Sequence, residues 1–151
     1  MFYVPGEDHG LPRNPFSALI VPRPIGWISS LDKAGNANLA PYSFFNAVAY
    51  DPPQVMFAAT GPHNRGGLKD SVRNIEATGE FVVNLVDEAI AEAMNRCAAS
   101  LPYGDSELEN AGLTTAASSS VKPPRIAEAP ASLECSEWGT LHIGNNRVII
   151  G

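Results

Sequence analysis

Apolar runs in this chain are short, and proline, glycine or asparagine ends nearly every one of them, so the sequence is punctuated for many brief strands. "SALIV" (17–21) and "GWISSLD" (26–32) flank "PRP", whose prolines forbid helix and favour extended chain on both sides, and both read as strands. "DKAGNAN" (32–38) supplies the Asp, Gly and Asn that a hairpin loop demands, so the strand from Trp27 is expected to fold back onto one spanning 42–49. "YDPP" then turns the chain into "QVMFAAT" (54–60), a further apolar strand.

From Leu68 the period changes. Leu68, Val72 and Ile75 stand at i, i+4 and i+7, and Gly79 offers a helix stop before the strand "EFVVNLV" (80–86), with Phe81, Val83 and Leu85 on one face. Asp87 is placed to cap a second helix whose stripe of Ile90, Ala93, Met94 and Cys97 reads as core packing, with Cys97 inert. Residues 100–130 are rich in Pro, Gly and Ser and read as a long excursion over the surface. "ASLECSEWGTLHIG" and "NRVIIG" alternate like strands around a "GNN" turn. One domain over residues 1–151 is expected, mainly β, as an antiparallel barrel or sandwich with helices outside it.

Charge and cysteine usage narrow the function. Sixteen acids against ten Lys and Arg give a formal charge of -6, which disfavours a nucleic acid or anionic membrane as partner. Cys97 and Cys135 form no CxxC pair, and His9, His63 and His142 are scattered, so neither a zinc site nor a disulfide framework is indicated. A reducing, cytoplasmic setting fits, and the N-terminus lacks the charge and apolar core of an export signal. Neither GxGxxG between strand and helix nor GxxxxGK[ST] is present, so any phosphate is held by other means.

Two clusters stand out. Trp27, Ser29, Ser30, Tyr42, Ser43 and Asn46 surround one tight polar turn and suit the holding of a flat, multiply hydrogen-bonding ligand; their plainer role is as core aromatics and strand serines. Arg65, Lys69 and Arg73 are spaced four apart, as if sharing one helix face. With a helix starting near Asp70 and Ser71 they would converge on an anion, or they form a solvated basic face.

"RPIGWISSLDKAGNANLAPYSFFNAVAYDPPQVMF", followed by "KDSVRNI", "GEFVVNLV" and "ELENAGLT", resembles the flavin reductase-like family in segment order and spacing, from Ser17 to Leu133. The resemblance implies an FMN-binding split β-barrel, antiparallel and Greek-key-like. It places Trp27 against the flavin, Ser29 and Ser30 at the ring's polar edge, and Tyr42 and Ser43 at the ribityl or phosphate. Asn46 would bond the pyrimidine side, Thr60 would end its strand at the same mouth, and Lys69, Asp70, Ser71 and Arg65 would meet the phosphate. NADH or NADPH would then stack over the ring and pass hydride to it, with no side chain required as acid or base.

The same resemblance implies a homodimer and a partner monooxygenase or other electron acceptor, with no nucleic acid and no membrane involved. A non-catalytic FMN-binding or electron-carrier protein that acts through a partner is the alternative, and a pyridoxamine-phosphate-oxidase-like enzyme fits the segments less well. Members usually continue past "NRVIIG"; ending here at Gly151, that strand is expected at an open edge of an incomplete barrel, inviting another chain to pair.

Overall fold

The computed structural model describes residues 2–64, 66–98 and 107–151. Along the chain these form helix α1 (Pro15–Leu19), strands β1 (Gly26–Leu31), β2 (Ala37–Tyr42), β3 (Phe45–Tyr50) and β4 (Pro53–Ala59), then helix α2 (Asp70–Thr78) and β5 (Glu80–Asn84). Helix α3 (Ala91–Arg96) and helix α4 (Glu107–Ala111) precede a two-residue pair, β6 (Thr115–Ala116) and β7 (Arg125–Ile126). Strands β8 (Ser132–Ser136), β9 (Gly139–Ile143) and β10 (Asn146–Ile150) follow.

Two antiparallel sheets result, ordered β2-β1-β5-β8 and β3-β4-β10-β9, with β6 and β7 as a small third. Their inner faces meet over one core, in which Ile28, Phe81 and Val83 of the first sheet pack with Phe57, Ala59 and Ile149 of the second and with Val72 and Ile75 of α2. Phe57 sits 4.7 Å from Tyr42 and 5.6 Å, edge-on, from Phe81, ring separations at which aromatic pairs attract. The outer face of the first sheet carries a second core, where Trp27, Leu39 and Ile126 pack with Cys97 and Ala111 from the α3–α4 region. Burial on both sides explains why β1 has five consecutive buried residues rather than a half-polar alternation.

The helix signals at 68–98 hold. Gly79 ends α2 in the left-handed conformation at φ 74°, its N–H bonded to Ile75 O, a role that glycine fills without a Cβ penalty. Asp87 Oδ1 accepts from the Ile90 N–H and caps the turn leading into α3. The stripe of Ile90, Ala93, Met94 and Cys97 faces the second core, and burial pushes the Cys97 thiol up to about 11, away from reactive thiolate.

Four expectations are corrected. Residues 17–21 are not a strand: Asn14 caps and Pro15 opens α1, and Arg23 ties the helix end by donating to the Ser17 and Ile20 carbonyls. The strand from Trp27 folds back onto β2 at 37–42 and not onto 42–49: the chain breaks at Ser43 and Phe44 and leaves for the other sheet, where β3 pairs with β4. The 100–130 stretch, in its described part, is more than a surface excursion: much of it is exposed, yet Ala111 and Ile126 anchor it in the second core. Finally, the strand ending at Gly151 is interior: β10 lies between β4 and β9, and Gly151 exchanges hydrogen bonds of 2.9 and 3.1 Å with Val55.

Candidate functional site

Of the residues singled out around the polar turn, Trp27, Ser29 and Ser30 divide between the two faces of the first sheet, and Asn46 lies on β3 of the second. Side chains alternate along a strand, so Trp27 and Ser29 point to the second core, and Ile28 and Ser30 to the side covered by α2. Trp27 is 0% exposed; its Nε1 has no oxygen or nitrogen partner among the described residues and interacts with the Cys97 thiol. Ser29 Oγ donates to Pro124 O at 2.6 Å and accepts from Asn84 Nδ2 at 3.2 Å. Ser30 Oγ accepts from Asn74 Nδ2, also at 3.2 Å. Both hydroxyls are thus engaged inside the fold.

On the α2 side, Ser71 is equally buried and its Oγ accepts from Asn38 Nδ2 at 2.8 Å. Tyr42 packs beside it, and burial pushes its phenol up to about 12 despite an opposing hydrogen bond with Ser71. Lys69 is the N-cap residue of α2, its Nζ 5.8 Å from the Tyr42 ring centroid, and burial holds its ammonium below the ordinary lysine value. Asp70 opens the helix, pairing with Arg73 at 3.1 Å and approaching His63 Nε2 at 3.8 Å. Arg73 thus turns to Asp70 and donates to the Leu68 carbonyl at 3.3 Å. Arg65 lies outside the described residues.

Ser43 is half-buried at the crossover between sheets, while Asn46 and Thr60 are exposed. Asn46 Oδ1 accepts from the neighbouring Ala47 N–H at 2.9 Å, and Thr60 directly follows β4.

Beside Thr60 opens a cavity of about 160 Å³, walled by Gly61, Pro62, Gly67, Lys69, Asn145 and Arg147 among others. Sequence reasoning missed Asn145 and Arg147, reading "GNN" only as a turn. The available signal was alternation: Arg147 is two residues from the fully buried Ile149 and so points inward with it. Gly61 N–H donates to Asn146 Oδ1 at 3.0 Å, tying the end of β4 to the β9–β10 turn and setting where Arg147 stands. The cavity offers two cations and backbone walls, a donor set suited to an anion. Among the described residues no cluster of His, Cys, Asp or Glu could hold a metal, and no helix is long and apolar enough to cross a membrane.

An unclosed pair of antiparallel sheets with helices beside them is the architecture of a split barrel. The family described as "Flavin reductase like domain" matches residues 18–151, and the chain belongs to it. An uncharacterized protein of Aquifex aeolicus (strain VF5) is 44% identical over 133 residues, 88% of this chain and 67% of its own length. Nitrilotriacetate monooxygenase component B from Bacillus cereus superposes with a TM-score of 0.88 at 34% identity, covering 100% of this chain and 77% of that one. A flavin reductase with a split barrel domain from Shewanella frigidimarina gives 0.78 at 24% identity, covering 85% of this chain and 63% of that one, a likeness of fold. The chain spans between 52% and 67% of the length of five curated relatives that it matches.

Proposed function

We propose that residues 1–151 work as one FMN-binding oxidoreductase domain that takes hydride from NADH or NADPH and passes reduced flavin or electrons to a partner monooxygenase or another acceptor. The observation that carries this reading is the cavity where Lys69 and Arg147 stand together in a chain with an excess of acids. Their donors suit a flavin's phosphate. When bound, the flavin supplies the redox chemistry, and the protein's tasks are binding, orientation and exclusion of water.

At about 160 Å³ the cavity is smaller than the roughly 300–1,000 Å³ of pockets that enclose whole ligands. It suits the polar end of the cofactor, leaving the rings to surface beyond it. In this proposal Ser43, Asn46 and Thr60 are contacts open to a ligand and Lys69 meets its phosphate with Arg147, while Tyr42 and Asp70 stand behind them. Trp27, Ser29, Ser30 and Ser71 act from within, fixing the backbone of the strands that the ligand meets.

A homodimer belongs to the same reading. The edge strands β3 and β9 expose Val48, Tyr50, Leu141 and Ile143, apolar area that a second copy would cover. The likeness to a monooxygenase component supports a partner oxygenase, and two free thiols suit the cytoplasm. The test is an air-free absorption titration with FMN and then NADH or NADPH. Saturable binding followed by bleaching supports the oxidoreductase; tight binding with no bleaching favours the non-catalytic alternative, and an unperturbed FMN spectrum rejects both.

A further inference from the structure

The segment between β6 and β7 lies against the outer face of the first sheet and is held there in two different ways. At its neck no bond ends on a carboxylate except at Thr114. Thr115 and Ala116 pair with Ile126 and Arg125, and Ala127 N–H donates to Thr114 O at 3.0 Å. Ser29 Oγ donates to Pro124 O at 2.6 Å, Ile126 N–H donates to Asn84 Oδ1 at 2.8 Å, and Arg125 Nε and Nη2 both reach Ala117 O at 3.2 Å. Thr114 itself donates to Glu128 Oε1, from its hydroxyl at 2.7 Å and its N–H at 3.0 Å.

At the tip the bonds run to carboxylates. Both oxygens of Glu134 on β8 accept the Ser119 N–H at 2.9 Å, and its Oε2 accepts the Ser120 N–H at 2.6 Å. Glu80 Oε2 on β5 accepts the Lys122 N–H at 2.9 Å. In the register of these strands Glu134 lies opposite Val82 and Glu80 opposite Ser136, so the two acids are diagonal neighbours. Like charges so placed repel, and donors between them relieve the repulsion. The tip supplies those donors as backbone N–H groups, and Arg125 adds its guanidinium 3.9 Å from Glu134. The charged groups around the clasp are thus Glu80, Glu134, Arg125 and the exposed Lys122.

Charge sets the strength of the tip's bonds. An N–H is held by a carboxylate about twice as strongly as by a neutral oxygen, and a protonated carboxyl gives up part of its acceptor capacity. Ser119, Ser120 and Lys122 are exposed, so water replaces an acceptor that lets go. The amide and carbonyl acceptors of the neck do not titrate. Bonds from Ser119 and Ser120 hold Glu134 below its ordinary 4.5, so its grip is whole above that value and is lost as pH falls through the lower folded one. Glu128 moves the same way: burial raises it, and hydrogen bonds led by the Thr114 hydroxyl more than offset this.

We propose that residues 117–124 are an acid-released strap: Glu80 and Glu134 hold its tip against β5 and β8 while ionised, their protonation frees it, and the neck stays fastened to β1 and β5. Pro123, buried in the closed strap, comes to the surface when the tip lifts. The device changes what one face of the first sheet presents while both cores stay assembled, and it is independent of the flavin reading.

Amide exchange followed residue by residue between about pH 7 and about pH 3.5, corrected for the intrinsic rate at each pH, tests it. In the wild-type chain, protection at Ser119, Ser120 and Lys122 should fall about 10-fold or more at the acid end, with Val82, Val83 and Ile126 changed less than about 2-fold. In Glu80→Gln/Glu134→Gln the same three amides should be weakly protected at both ends, without that dependence. Wild-type protection that persists at the acid end overturns the proposal. So does its loss together with Val82, Val83 and Ile126, which is melting of the whole fold. A pH dependence that survives in the double variant overturns it as well, since other groups then govern the tip. Should that variant not fold, Glu134→Gln alone decides through Ser119 and Ser120.

Discussion

Ser29 and Ser30 are adjacent in the chain and hydrogen-bond on opposite faces of β1, Ser29 Oγ to Pro124 O at 2.6 Å and Ser30 Oγ to Asn74 Nδ2 at 3.2 Å. One serine thus locks the 124–126 segment to the sheet and the other locks α2. A pair that reads as a single binding feature is, in three dimensions, two internal fasteners that hold the mouth of the barrel from either side.

Asn84 is the hub on the Ser29 side. Its Nδ2 donates to Trp27 O at 3.1 Å and Ser29 Oγ at 3.2 Å, and its Oδ1 accepts from Ile126 N at 2.8 Å and Ser132 Oγ at 3.1 Å. Asn84→Ala strands the buried Ile126 N–H and the Trp27 carbonyl, at about 1–3 kcal/mol for each unsatisfied group. Urea unfolding should register a loss of about 2–4 kcal/mol; a loss below about 1 kcal/mol would show that this hub is dispensable.

Gly26 is required by close approach. A Cβ there would lie 2.7 Å from Phe45 Cδ2 and 2.8 Å from its Cγ, near the root of a ring that cannot swing away freely. Gly26→Ala should destabilise by about 1–3 kcal/mol through overpacking at the β2–β3 crossover. The double variant Gly26→Ala/Phe45→Leu should recover part of that loss in the same unfolding experiment, and absence of any recovery would remove the steric explanation.

Tyr42 gives an alkaline signature. Its folded phenol is raised from 10.0 to about 12 by burial, so the neutral form is favoured in the native state. The contribution is whole below pH 10 and declines as pH rises from there through 12, because the unfolded chain loses its proton first. Tyr42→Phe should flatten this limb of a plot of thermal midpoint against pH, and an unchanged limb would place its origin elsewhere.

Glu134 gives the acidic counterpart. Its carboxylate accepts from the N–H groups of Ser119 and Ser120, bonds that hold it below its ordinary 4.5, with Arg125 adding a smaller pull. Stability from this clasp is present above 4.5 and lost as pH falls through the lower folded value. Glu134→Gln should remove that dependence and speed amide exchange at Ser119 and Ser120; unchanged exchange there would contradict the clasp.

Much of the local structure was legible in the chain itself. The spacing of Leu68, Val72 and Ile75, the stop at Gly79, the cap at Asp87 and the hairpin chemistry of 32–38 all depend on neighbours within a few residues, and each appears where its pattern puts it. The signals for α1 were present as well, in Asn14 and Pro15, but an apolar run beside prolines also reads as strand, and so short a segment does not separate the two periods.

Tertiary structure alone decided where the strands go. That the chain breaks at Ser43 and Phe44 to enter a second sheet, that β10 lies inside that sheet, and that Arg147 reaches Lys69 from 78 positions away in sequence are outcomes of non-local pairing. The physical reason is that a strand's own residues specify which faces are buried, while its neighbours are chosen by the core they jointly fill. Family resemblance pointed to the turn after Tyr42, and only the packing of two sheets brought Lys69 and Arg147 to one cavity.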